Sequence, residues 1–413
     1  MTKQRSYVFL LMFSSIAINY MDRVNFSVSQ PAIRHTFGFS LQQIGAILFA
    51  WAIVYAIFNF PGGWLVDRLG LRYGLFATLG WWSIFTIATP FAGTLGAWYA
   101  VRGLMGAGEA PIWPLNAKCA AAWAAPGRRS TFFTWAGSGQ YVGPFVGSAL
   151  AGLIVARLGW QWTFIIFGLA GLAILPLWLA VVRDLPEREA LPQNADWRGI
   201  RNVIFSRTGI GILLVYLTFG YILFTFLNWV PAYMYSTFHT SILKSALWAS
   251  LAAGFGWIGF ILSGVVNDGL LAVYDRLTAR RIGAVVPMIG AIGCMIGSLY
   301  TARAGNAAAT AVAIGLAQLL MNMTVGAWAV SVIDISPNHA STGFIYGIYN
   351  GVLNVMGAVN SLILSAIAAR HGFPAAFGSA IAFMFVFLIS MLFIVDRASY
   401  TRLTAKARLE AAT

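Results

Sequence analysis

The sequence predicts an all-α membrane protein with twelve transmembrane helices in two six-helix repeats, and three observations carry that expectation. Of its 413 residues 59% are hydrophobic and only 9% charged, whereas ordinary soluble domains carry about 25% charged residues. Apolar runs recur at roughly 7–30, 41–63, 73–93, 97–117, 131–155, 160–182, 208–234, 245–266, 282–302, 308–333, 342–368 and 374–395. Most reach the ~20 residues that span a ~30 Å hydrocarbon core. One substantial hydrophilic gap, 183–207, divides the runs six and six. The 43 glycines and 16 tryptophans suit closely packed membrane helices with interfacial anchors.

The formal charge of +14 is explained by topology rather than by a nucleic-acid partner. Nineteen of the 26 Lys and Arg fall in the N-terminus, the even-numbered loops and the C-terminus. Five (Arg34, Arg157, Lys244, Arg303, Arg370) lie in odd-numbered loops and two, Arg23 and Arg102, inside helices. The positive-inside rule then puts both termini in the cytoplasm. Lys3 and Arg5 precede the first run, which lacks a small-residue cleavage site and reads as a retained helix. Cys119 and Cys294 form no framework, and the four histidines fall in predicted loops. No metal site, cofactor or enzyme constellation is therefore expected.

The halves look related. "IVARLGWQWTF" (154–164) matches "IAARHGFPAAF" (367–377), and "GWLVD" (63–67) matches "GVVND" (264–268) at the ends of the second and eighth helices. The expected domains are 1–182, a six-helix bundle; 183–207, a cytoplasmic linker; and 208–413, a second bundle with a short tail. The loop after the second helix, "GGWLVDRLGLRYG", fits G-x-L-x-D-R-x-G-x-R through Gly63, Leu65, Asp67, Arg68, Gly70 and Arg72. Gly63 permits close helix approach. Asp67 can cap a helix or pair with a neighbouring Arg, giving a cytoplasmic latch with Asp268 as its counterpart in the second half. This motif and the paired six-helix repeats resemble the major facilitator superfamily.

Asp22 and Glu109 are the two acidic residues deep in apolar runs, and with Arg23 and Arg102 they make four buried charges, all in the first half. An ionisable group at bilayer depth costs on the order of 3 kcal/mol or more, so it marks function by default. Arg102 and Glu109 are seven apart, two helical turns, which puts them on one face about 10 Å apart. Asp22 and Arg23 are adjacent and point about 100° apart, so they do not simply neutralise each other. The arginines offer fork donors for a carboxylate, and the acids can take up protons. Two structural salt bridges, Asp22 with one Arg and Glu109 with the other, are the plainer alternative.

More narrowly, the chain resembles the anion:cation symporter branch of that superfamily, which includes bacterial galactonate, glucarate and hexuronate permeases and animal sialic-acid and vesicular glutamate transporters. The carriers are "NYMDRVNFS", "PGGWLVDRLG", "RGLMGAGEAPIWP", "SGQYVG", "NWVPAYM" and "GIYNGVLNVMG". The resemblance implies proton-coupled uptake of an organic anion, with a sugar acid as the expected substrate. It makes Asp22 and Glu109 the protonation sites. By the same resemblance Arg23 and Arg102 hold the substrate carboxylate or the proton-coupled network, and Tyr55, Gln140, Asn350 and Asn354 make polar contacts in the cavity. Tyr221 adds a neutral hydrogen-bonding group from the seventh helix. That helix has no Arg, unlike the vesicular glutamate carriers, and Ser361 stands where the branch often has Pro. The fifth helix reads "GQYVGPFVGS", close to a drug/proton antiporter pattern.

Partners are accordingly a small organic anion, protons and the bilayer, for a chain expected to act as a monomer. The rival functions are a proton-coupled exchanger or drug exporter, and a symporter for an aromatic carboxylate suited to Trp51, Trp135, Trp257 and Trp328.

Overall fold

A computed structural model describes residues 3–123, 129–182, 197–336 and 339–412. The side chain of Asp67, the surroundings of Gly63 and the linker residues 183–196 lie outside the described residues. Every regular element among the described residues is helical. In chain order the first six are α1 (Lys3–Phe37), α2 (Leu41–Ala88), α3 (Leu95–Glu109), α4 (Ile112–Trp123), α5 (Arg129–Gly137) and α6 (Gly139–Leu158). Next come α7 (Trp160–Val181), α8 (Trp197–Ile204), α9 (Arg207–Phe238), α10 (Ile242–Leu271) and α11 (Arg276–Arg303). The last are α12 (Ala307–Met323), α13 (Val325–Ile335), α14 (His339–Ile389) and α15 (Arg397–Ala412).

These elements give twelve membrane helices once their breaks are read. In α2 the second and third helices run together and part at Gly70, whose φ of 71° only glycine adopts freely. Gly372, φ 81°, divides α14 into the eleventh and twelfth in the same way. The fourth, fifth and tenth helices are each broken in two, as α3–α4, α5–α6 and α12–α13. Eight stretches among the described residues are long and apolar enough to cross a membrane. The first, third and fourth helices fall outside that set; the first has a polar middle, the third is the short part of α2 after Gly70, and the fourth is interrupted after Glu109. The fold is that of twelve helices expected from the sequence.

The chain forms two compact units. The first comprises Met1–Pro186 with 226–254 and 358–373, the parts of α9, α10 and α14 that flank odd-numbered loops. Its α1 packs on α6 and α7, and α2 on α3 and α7. A core of Val8, Met12, Leu75, Leu79, Trp82 and Trp178 holds these helices together. The second unit comprises 187–225, 255–357 and 374–413, with α11 packed against α12. Ile57, Trp135, Leu177, Val265 and Phe393 are among many large apolar side chains left exposed, as a lipid-facing surface requires.

Outside the first half, the sequence reading missed one buried ion pair. Arg280 Nε donates to Asp334 Oδ2 at 3.1 Å, and Arg280 is only 5% exposed. Tyr400 of α15 donates to the same oxygen at 2.8 Å. The expectation that all buried charges lie in the first half is thus corrected. Asp334 sits in the last turn of α13, and a position at a helix end hid its burial.

Candidate functional site

The first unit gathers Asp22, Arg23, Tyr55, Arg102 and Glu109 into one buried cluster. Helix α1 supplies Asp22 and Arg23, which are 0% and 4% exposed. Arg23 is held on two sides. Its Nε donates to Glu109 Oε2 at 3.1 Å. Its guanidinium carbon lies 4.2 Å from the ring centre of Tyr20, 4.7 Å from Trp51 and 4.8 Å from Tyr55. Three aromatic faces around one cation replace part of its lost hydration. Trp51 and Tyr55 stand one turn apart on α2, with ring centres 5.4 Å apart.

Glu109 closes α3, just before the break at Ala110 and Pro111. Helix α3 can approach α2 this closely because position 106 is glycine. A Cβ there would fall 2.5 Å from the Trp51 carbonyl oxygen. Arg102, two turns earlier, meets no carboxylate. Its Nη1 lies 3.1 Å from Met105 Sδ, and its guanidinium carbon is 4.8 Å from the centre of the Phe26 ring. The plainer alternative of two matched salt bridges is therefore realised once, as Arg23–Glu109. Asp22 has no hydrogen-bond partner on either oxygen. The polar groups of Trp82 and Thr86 lie close to it, and the charges of Glu109 and Arg102 act on it electrostatically.

Buried polar groups are ordinarily satisfied, and here several are not. Among the four charged side chains of the cluster, the unpartnered acceptor atoms are both Asp22 oxygens and Glu109 Oε1, and the unpartnered donor atoms are Arg23 Nη2 and Arg102 Nε. Asn19, one turn before Asp22 and fully buried, leaves both of its amide atoms unpartnered. Sequence reasoning missed Asn19, Tyr20 and the caging role of Trp51. The signal was present: Asn19 and Tyr20 precede Arg23 by four and three, and Trp51 precedes Tyr55 by four, the spacings that share a helix face.

The other sequence candidates lie elsewhere. Gln140 is partly buried near the start of α6. In the second unit the Tyr221 hydroxyl lies 2.7 Å from Ser379 Oγ and its ring stacks on Phe383 at 3.8 Å. Asn354 donates to the Asn350 carbonyl at 2.8 Å. In the loop motif, Arg72 Nη2 donates to the Leu179 carbonyl at 3.0 Å and Trp178 Nε1 returns a bond to the Arg72 carbonyl. Arg68 and Asp268 are exposed.

Ionisable residues within membrane helices are the first candidates for a functional site. The chain belongs to the Major Facilitator Superfamily, whose sequence pattern matches residues 12–361. It is 28% identical over 93% of its length to a probable galactarate/D-glucarate transporter of Bacillus subtilis, covering 89% of that protein. It is 27% identical to a hexuronate transporter of the same organism, over 90% of each chain. These relatives are consistent with the anion:cation symporter branch and with a transporter rather than an enzyme. Among solved structures, a bacterial homologue of the human lysosomal transporter Spinster superposes with a TM-score of 0.75 at 16% identity, over 100% of this chain and 98% of that one.

Proposed function

We propose that the protein takes up a sugar-acid carboxylate together with protons by alternating access. The observation that carries this reading is the set of unpartnered atoms around Asp22, Arg23, Arg102 and Glu109. With all four ionised the cluster is neutral. A proton on Asp22 or Glu109 makes it +1, and a bound carboxylate returns it to zero. The carboxylate meets the free donors Arg23 Nη2 and Arg102 Nε, and the protons relieve the bare acceptors. Each ligand thus removes the cost of burying the other's counterpart. The names of the relatives, which are carriers of sugar acids, support the substrate class.

Repeats 1–182 and 208–413, joined by the cytoplasmic linker 183–207, are the two bodies that rock in this mechanism, in a monomer with both termini in the cytoplasm of a bacterial cell. Within the first unit, Ser27 Oγ and Gln30 Nε2 both donate to the carbonyl of Asn228, at 2.6 and 3.0 Å. Pro231, three residues on inside α9, cannot donate to the helix ladder. Ser250 also donates to the Phe145 carbonyl. These bonds latch the odd-loop ends of α9 and α10 to the first bundle, and the described state is read as closed on the periplasmic side. A monovalent anion taken up with one proton crosses without net charge and draws on the pH gradient, about 1.4 kcal/mol per pH unit; a second proton adds about 2.3 kcal/mol per 100 mV of potential, and a dianion such as galactarate needs two protons to cross without net charge.

The test is uptake of labelled galactarate, glucarate and glucuronate into proteoliposomes under an imposed pH gradient. Accumulation of one of them that collapses with a protonophore supports the reading. Exchange of lipophilic cations with no exchange of sugar acids overturns it in favour of an exporter. The aromatic cage around Arg23 gives a second reading some weight, an aromatic carboxylate stacking on Trp51 or Tyr55, and competition by benzoate in the same assay identifies it.

A further inference from the structure

A second site, away from the charge cluster, lies in the second unit. A cavity of about 630 Å³ opens between α8, the end of α13 and α15. Arg201, Asn202 and Ser206 line one wall, Ile335 another, and Ser399 and Arg402 the third. The walls are tied to one another. Arg207 Nη2 donates to the Phe393 carbonyl at 2.9 Å and Thr208 Oγ1 to the Asp396 carbonyl at 3.2 Å. The Asp396 carboxylate accepts the Ser399 N–H at 2.9 Å, and Tyr400 anchors α15 to Asp334 at the end of α13.

The arginines of this region divide into two sets. Arg207, Arg280, Arg281 and Arg397 each donate to a carbonyl or a carboxylate. Arg201 and Arg402, the two that face the cavity, are exposed and make no hydrogen bond or ion pair with any described residue. Among the described residues no acidic side chain lines the space to neutralise them. Its remaining walls are apolar. At its rim Phe205 is 73% exposed. Two unpaired guanidiniums beside an exposed aromatic ring suit a ligand with an anionic head and an apolar tail.

We propose that this cavity binds one acidic phospholipid, with the headgroup phosphate between Arg201 and Arg402 and the upper acyl chains against Val203, Leu403 and Phe205. Planar guanidiniums bind phosphate through paired N–H donors. Basic pockets at the membrane surface recruit acidic headgroups, and aromatic rings settle at that boundary. The volume is several times that of a phosphate ion, and a free anion leaves the apolar rim uncovered. The inference is independent of what the protein transports.

The experiment is native mass spectrometry of the purified chain from equimolar phosphatidylglycerol and phosphatidylcholine. The wild type is expected to retain one phosphatidylglycerol in preference. In the R201Q/R402Q variant that preference is expected to drop about thirtyfold, the effect of two lost headgroup charges. Arg198→Gln, an exposed arginine of the same helix outside the cavity, is expected to keep it. Equal phosphatidylglycerol retention in R201Q/R402Q overturns the assignment. Displacement of the lipid from the wild type by excess inorganic phosphate also overturns it, and identifies a site for free anions instead.

Discussion

Arg23 meets Glu109 through one nitrogen and one oxygen: Nε lies 3.1 Å from Oε2, while Nη2 and Oε1 have no partner. A buried Arg–carboxylate pair at its strongest is a two-bond fork. This one is half-made, so an arriving carboxylate can take Nη2 without first breaking the existing bond, and Glu109 keeps a bare oxygen for a proton. In the proposed mechanism the pair switches between a structural salt bridge and a substrate contact. Glu109→Gln preserves the shape and a hydrogen-bond acceptor but not the titration. It is expected to retain sugar-acid exchange in counterflow while losing accumulation driven by a pH gradient, by about tenfold or more. Proteoliposome assays of both modes on one preparation check this. Full gradient-driven uptake in Glu109→Gln removes Glu109 from the coupling.

Arg23→Lys separates charge from geometry. Lysine keeps the positive charge but lacks the flat fork that fits among Tyr20, Trp51 and Tyr55. Losing a charge-assisted hydrogen bond costs about 1.5–3 kcal/mol. Substrate affinity is accordingly expected to fall roughly tenfold to a hundredfold, with the protein still folded. Half-saturation in counterflow, read beside the thermal unfolding midpoint, distinguishes this from general damage.

Asp22 gives an opposite expectation for stability. A fully buried carboxyl with two unpartnered oxygens is a cost to the fold, and an amide is cheaper to bury than a carboxylate. Asp22→Asn is expected to unfold at the same temperature as the wild type or higher at neutral pH, while proton-driven transport is lost. A lowered midpoint would mean that Asp22 has a stabilising partner in the membrane.

Much of this was legible in the sequence because bilayer physics writes it there. Run length and the placement of Lys and Arg specify twelve helices, and the cost of burying charge singles out Asp22, Arg23, Arg102 and Glu109. What periodicity cannot supply is the pairing across helices. Spacing puts Arg102 and Glu109 on one face of the same run, yet Glu109 bonds to Arg23 of α1 and Arg102 rests on Phe26. Asn19 reads as an ordinary polar residue among apolar ones, and only its lack of partners distinguishes it. Asp334 sits in a helix's last turn, where sequence reading expects solvent, and α15 is what buries it through Tyr400.

The glycine beneath the cage is a packing requirement. At Gly106 a Cβ would sit 2.5 Å from the Trp51 carbonyl oxygen, a backbone atom that cannot rotate away. Gly106→Val is expected to destabilise the protein by about 1–3 kcal/mol through overpacking. Because α3 also carries Glu109, the variant is expected to weaken substrate binding as well. A lower unfolding midpoint with reduced sugar-acid affinity checks both effects. Gly96, where an added Cβ would meet nothing within 4 Å, is the control, and Gly96→Ala is expected to leave both unchanged.

The latch on Asn228 concerns conformation rather than binding. Its acceptor is a backbone carbonyl near Pro231, so it is removed from the donor side, by Ser27→Ala with Gln30→Ala. Each lost hydrogen bond is worth about 1 kcal/mol, so the pair shifts the balance between closed and open periplasmic ends by roughly tenfold or more. His35 and His239 are exposed, near the ends of α1 and α9, and can be replaced by cysteine for spin labels without disturbing the core. In the wild type, pulsed electron resonance is expected to show mainly the short separation of the closed state. In the double variant a longer population is expected to grow, and substrate-free protein is expected to show it most clearly. An unchanged distribution would mean that these bonds follow closure instead of holding it. The state would then be set by apolar packing of α9 and α10 against α1 and α6, at contacts such as that of Gly152 with Ala246.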